Sequence, residues 1–334
     1  MTYSTLKNIS VASVAATMFM GTMAVSSDVE PPKSPFDQSS PPCPTLGLGF
    51  SCPASAKDRC LILPEFNFIG VDDQGRNNSQ FFKMDLTVPE NSPNFLENFG
   101  KLYKGYDIEA LDSTDPTKNP NEGTPWSCLF AASGDNDGGN SSCKTGCLYY
   151  LDKSDGSLAL MGDICTQDKD LEEIDAMAFR PNGKGWEEIW GWSRSDGLFQ
   201  IETPQPELGL CGDGREAVRA DMICNIPNLV VEDMTWVEKE GVFYAYVANE
   251  KAIYKFDPDA SCDNYEKVCT SKHEIEALEY ISPDGFDLLV LGYNAAGNSV
   301  AAIALNNPRD PQGNCNLLDS TFPTGMDVEG LAYP

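Results

Sequence analysis

Five acidic residues stand at the same place in five copies of one short phrase. They are Glu109 in YDIEALD (106–112), Asp175 in EEIDAMAF (172–179), Glu232 in LVVEDMTW (229–236), Glu276 in HEIEALEY (273–280) and Glu329 in MDVEGLAYP (326–334). Carboxylates gathered in number make a hard ligand set. With one histidine (His273) and no CxxC pair in the chain, that set points to Ca²⁺ rather than to Zn²⁺ or copper. Two positions upstream come Asp107, Glu173, Glu274 and Asp327, with Val230 the exception, and the third copy adds Asp233. Residues i and i+2 of a strand share a face, so every copy but one presents two acids together. Crowded carboxylates cannot all stay ionised: repulsion raises their pKa values or draws in a cation.

The same residue types serve other chemistries. Glu109, Asp175 and Glu276 are the trio from which a carboxylate-based glycosidase would draw its general acid and base. A calcium-assisted esterase, lactonase or phosphoesterase would instead polarise a substrate oxygen through the ion. Symmetric recurrence argues against catalysis, which needs contrasting environments. A structural role also fits, each acid accepting backbone N–H groups from a neighbouring repeat. The stretch SGDNDGGNSSCKTG (133–146) holds Asp135 and Asp137, a possible rim loop; it lacks the third acid and distant Glu of a calcium loop and reads as a solvated, disulfide-bounded insertion. His273 has no G-x-S-x-G partner motif and reads as a turn residue. Trp190 and Trp192 could stack on sugars at a rim, but their alternation predicts packing between repeats.

The elements that must hold these acids follow from the repeat. The aligned carboxylates are separated by 66, 57, 44 and 53 residues, the spacing of one four-stranded sheet per repeat. After each acidic phrase (strand A) comes a strand B: CLFAAS from 128, EIWGWS from 188, VFYAYVAN from 242 and DLLVLGY from 287. A strand C follows, as LYYLD (148–152), LFQIE (198–202), IYKFD (253–257) and AIALN (302–306), with turns such as KSDG and RSDG between. The final phrase is a strand A with nothing after it, whereas EFNFIGVDD (65–73) and FFKMD (81–85) match B and C with no A before them. Joining the two ends predicts an all-β, five-bladed β-propeller of four-stranded blades, closed by pairing of N-terminal strands with the C-terminal strand. A β-sandwich also accommodates many short strands, but predicts neither the recurrent acid nor the complementary termini.

The D-[IV]-E-[AG]-L strand start resembles repeats of secreted propellers of the esterase-like phytase and SdiA-regulated kind and, distantly, of calcium-containing paraoxonase and gluconolactonase propellers. The resemblance spans residues 61–334 as an architecture and implies a channel mouth lined by acids; it carries no catalytic role over.

Bulk properties set the partners. A formal net charge of -28 excludes nucleic acid and anionic membrane surfaces. Residues 1–26 read as a secretory signal peptide and 27–59 as a Pro/Ser-rich tether with cysteines, leaving 60–334 as the propeller domain. With an export signal, twelve cysteines imply disulfides. Spacing suggests Cys262 with Cys269, Cys211 with Cys224, and pairing among Cys128, Cys143, Cys147 and Cys165; of Cys43, Cys52, Cys60 and Cys315, one pair would tie the N-terminal segment to the late chain. Asn77 and Asn140 begin glycosylation sequons. The resulting expectation is a secreted, extracellular or periplasmic recognition module with a Ca²⁺-binding mouth, its partner an extracellular protein or glycan. The alternative is a secreted hydrolase acting on a small-molecule substrate at the same mouth. No membrane insertion is expected.

Overall fold

A computed structural model describes residues 67–75, 78–85, 95–113, 129–134, 143, 145–167, 169–181, 187–201, 208–210, 216–282, 287–294, 298–317 and 322–333. The segments expected to be a signal peptide (1–26) and a tether (27–59), and Asp135, Asp137, Asn77, Asn140, Trp126 and Trp186, lie outside the described residues, as do Cys43, Cys52, Cys60, Cys128 and Cys211.

Among the described residues there is no helix, and the strands form five antiparallel blades. Blade I contains β1 (Asn67–Asp73), β2 (Asn78–Asp85) and β3 (Leu96–Lys104). Blade II contains β4 (Ile108–Ser113), β5 (Leu129–Ser133), β6 (Cys147–Leu151) and β7 (Leu158–Cys165); blade III contains β8 (Ile174–Pro181), β9 (Glu187–Ser193) and β10 (Gly197–Ile201). Between blade III's third and fourth strands the chain leaves to form β11 (Leu208–Leu210) and β12 (Glu216–Arg219), then returns as β13 (Asp221–Cys224), the outer strand of blade III. Blade IV is β14 (Asp233–Lys239), β15 (Val242–Asn249), β16 (Ala252–Asp257) and β17 (Ser261–Thr270); blade V is β18 (Glu274–Ile281), β19 (Leu288–Asn294), β20 (Ser299–Ala304) and β21 (Phe322–Pro323).

Closure is as the termini predict. The last strand, β22 (Val328–Ala332), pairs antiparallel with β1, setting Ile69 opposite Ala332 and Val71 opposite Gly330. It is thus the inner strand of blade I, and both strand edges that would template aggregation disappear into one sheet. The inner strands β22, β4, β8, β14 and β18 contact one another in cyclic order. A Cβ on Gly330 would stand 3.0 Å from the Leu111 nitrogen, so any larger residue would push β22 and β4 slightly apart.

Each gap between blades is filled from both sides. Trp190, Trp192 and Trp236 lie buried between blades III and IV with Leu198, Met234 and Phe256, so the alternating tryptophans are packing residues and not a sugar platform. Blade II is widened by the excursion from blade III: β12 pairs parallel with β7, Val218 opposite Ile164, and covers an edge that would otherwise stay open.

The disulfides correct two expected pairings. Cys143 bonds Cys147, but Cys262 bonds Cys224 and Cys269 bonds Cys315. Cys262 and Cys269 sit near opposite ends of β17, about 23 Å apart at ~3.3 Å per residue, far beyond disulfide reach. Cys224, in β13, faces blade IV instead and ties the outer strands of blades III and IV together. Cys315 is spent within the propeller and cannot tether the N-terminal segment.

Candidate functional site

One local irregularity aims the repeated acids. In β4 the pairing with β5 runs from Ile108 opposite Ser133 to Ala110 opposite Ala132, passing over Glu109. The same skip passes over Asp175 between Ile174 and Ala176, over Glu276 between Ile275 and Ala277, and over Glu329 between Val328 and Gly330. In blade IV, Glu232 donates its N–H to the Ala248 carbonyl (3.0 Å) while Asp233 is also paired with Ala248. Every inner strand therefore begins with a β-bulge whose extra residue is the repeated acid. A bulge turns the side chain of that residue out of the ladder, and the acids so turned come within electrostatic reach of one another.

The acids meet. Glu109 feels Asp107, Asp175 and Glu232, while Glu329 feels Glu109, Glu276, Asp327 and Asp73, so the five ring residues belong to one electrostatic group. Burial first, then this repulsion, pushes the Glu109 and Glu329 carboxyls well above the usual range. Glu232 is raised by burial and by Glu250 and Glu274, against the pull of Arg194. Asp175, fully buried, is pushed up to about 7 by desolvation even though Arg194 opposes the shift.

Arg194 is the residue of this acidic cluster that sequence reasoning missed. Its Nε lies 3.0 Å from Asp175 Oδ2 and its Nη2 3.0 Å from Oδ1, with Glu173 at 3.6 Å. Burial works against the cation, but Asp175, Glu173 and Glu109 outweigh it and the guanidinium is held more firmly protonated than usual. The RSDG segment containing it reads from sequence as a turn. The register shows more: the residue at the end of strand B, beside the start of each inner strand, is Asp73, Gly134, Arg194, Glu250 and Asn294 in blades I to V. Blade III alone places a base there. Blade II has a glycine there, and a Cβ on Gly134 would crowd the acids, coming within 2.9 Å of both Asp107 Oδ2 and Glu109 Cγ.

The outer acids divide. Asp107 stands by Glu109, Glu173 by Arg194, Glu274 near Glu232, and Asp327 by Glu329 and Asp73. Asp233 does not join them. It is buried inside the strand layer, accepting the Met234 N–H (2.8 Å) and the Leu278 N–H of blade V (2.7 Å). Asp112 does the same toward blade III, accepting the Phe179 N–H at 2.6 Å. The structural tie imagined for the repeated acids is thus made by others. Among the described residues no hydrogen bond reaches the carboxylates of Glu109, Glu232 or Glu329.

His273 is exposed at a turn, its ring 5.8 Å from that of Tyr293. Asp73, Asp327 and Glu329 each bring a carboxylate oxygen within 4.8 Å of the others. Cys143, Cys147 and Asp163 are also close, but those sulfurs are in a disulfide and offer no thiolate.

No family model matches the chain and no curated protein does, so the resemblance drawn from the repeated phrase stands on that phrase alone. Among solved structures, the chain is similar to one in the crystal structure of a nidogen/laminin complex, at 10% identity and TM-score 0.44, covering 80% of this chain and 97% of that one. It is also similar to a structural-genomics protein of unknown function from Bacteroides thetaiotaomicron, at 11% identity and TM-score 0.40, covering 82% of this chain and 64% of that one. Likeness of that degree carries nothing about function.

Proposed function

We propose that this protein is an exported recognition propeller whose acidic mouth binds Ca²⁺ and presents it, with the surrounding rim, to an extracellular protein or glycan. The observation that carries the reading is that Glu109, Glu232 and Glu329 are turned by bulges into one mouth, have no hydrogen bond, and are opposed by a single guanidinium among the described residues. Charge left over in this way is neutralised either by protons or by a cation. Oxygen ligands select a hard ion, and one held at about 2.4 Å from each oxygen keeps its ligands within about 5 Å of one another, the spacing of Asp73, Asp327 and Glu329. Arg194 already neutralises Asp175, so the ion belongs on the blade I side of the ring rather than on its axis. Disulfides suit an oxidising compartment. Among the described residues no helix is long and apolar enough to cross a membrane.

Calorimetric titration of Ca²⁺ into chelator-treated protein tests this. Saturable binding that weakens at least tenfold in Glu329→Gln, with Mg²⁺ weaker than Ca²⁺, supports the reading; no heat in the wild type refutes it.

A second reading has one specific observation behind it. Asp175 beside Arg194, and Glu329 set among other carboxylates, are carboxyls in contrasting environments, as acid–base hydrolysis requires. Turnover of aryl glycosides or esters, lost in both Asp175→Asn and Glu329→Gln, would favour the hydrolase.

A further inference from the structure

A cavity of about 270 Å³ lies between the end of β17, the turn leading into β18, and the segment after β20. Its walls are cross-linked. Cys269–Cys315 joins the two sides, the Thr270 N–H donates to Gly313 O (3.0 Å), and the Cys315 N–H donates to Thr270 O (2.8 Å). Asp310 fixes the third wall by accepting the Gln312 and Asn314 backbone N–H groups and the Asn314 amide. A site held in this way loses little entropy when filled.

The groups with no intramolecular partner are of both kinds. Among the described residues the Lys272 ammonium, the Tyr293 hydroxyl and the Thr270 hydroxyl make no hydrogen bond, and they can donate. The Asn314 side-chain oxygen and the remaining capacity of Asp310 Oδ2 can accept. Lys272 and Asp310 cancel in charge, so the cavity has no surplus to attract an anion or a cation. Its size lies just below the usual range for drug-sized ligands and suits a single small ring. His273 and Tyr293 add aromatic surface beside the polar groups. Donors and acceptors lining one cavity together match vicinal hydroxyls, each of which gives and takes a hydrogen bond, and the ring C–H face suits an aromatic wall.

We propose that this blade V cavity is a saccharide subsite that takes one neutral sugar ring between Lys272, Tyr293 and Asn314, with His273 against its face. The assignment goes beyond the cation reading and does not depend on it.

Saturation-transfer NMR on the full exported chain, in chelator, with the methyl glycosides of glucose, galactose, mannose and N-acetylglucosamine, tests the assignment. At least one glycoside should receive transfer, with affinity falling about tenfold or more in Lys272→Ala/His273→Ala, whose side chains are exposed and do not hold the fold. Tyr293→Phe, which keeps the shape and removes one donor, should alter which glycoside is preferred. No transfer to any glycoside at millimolar concentration, or transfer undiminished in the double variant, overturns the assignment. Stronger binding of acetate or phosphate than of any glycoside overturns it as well.

Discussion

Two sets of acids line the inner strands, and they live under opposite rules. The interior set, Asp112 and Asp233, spends one oxygen on a backbone N–H of the next blade and the other on a backbone N–H of its own strand. The mouth set, Glu109, Glu232 and Glu329, has no such bond and faces other carboxylates. One residue of offset separates Asp233 from Glu232, yet the first is a rivet and the second is surplus charge. Repetition of an acid is therefore not what identifies a site; what matters is whether its oxygens are occupied.

The sharpest way to break the comparison is to remove a rivet. Asp233→Ala would leave the buried Leu278 N–H without its acceptor, and should cost about 2–3 kcal/mol in urea unfolding. Next comes the base between the sets. Arg194→Met should destabilise by about 1–2 kcal/mol at pH 8, discounted because the guanidinium is 43% exposed, and by less at pH 5, where Asp175 is protonated. A mouth acid should behave in the opposite sense. Glu329→Gln without calcium should raise stability at pH 8 by about 0.5–1 kcal/mol, because it removes repulsion and breaks no bond. If Asp233→Ala and Glu329→Gln shifted stability in the same direction, the distinction would fail.

The termini, the blade count and the inner acidic strands are legible in the sequence because the phrase recurs with hydrophobic residues flanking the acid, and because MDVEGLAYP lacks the strands that follow its copies. The excursion to β12 is not legible. ETPQPELGLCGDGREAVRA is rich in turn residues, and its pairing with β7 exists only because blade II offers an edge there. The cysteine pairs misled for a related reason: Cys262 and Cys269 are near in sequence but separated along one extended strand. At the site, the five ring acids are readable and the bulges are not, since a bulge shows only as a break in register. Arg194 hid in RSDG, which turn chemistry alone explains. Aligning the residues after strand B would have exposed it as the one base in that position.

On the proposed reading calcium and protons compete for the same charge, and that competition tests the account most directly. A carboxyl whose folded pKa lies above its unfolded value contributes stability that is full below the unfolded value and lost as pH rises through the folded one. With Asp175 at about 7 against an ordinary 3.8, and Glu109 and Glu329 shifted the same way, calcium-free protein should gain stability as pH falls from about 7 toward about 4. The decisive measurement is the melting temperature with saturating Ca²⁺ and with chelator, at pH 8 and again at pH 5. A gain of several degrees at pH 8, of the order of 2.7 kcal/mol at a hundredfold excess over Kd, that shrinks at pH 5 is the predicted result. Equal melting with and without calcium at pH 8 would contradict the account.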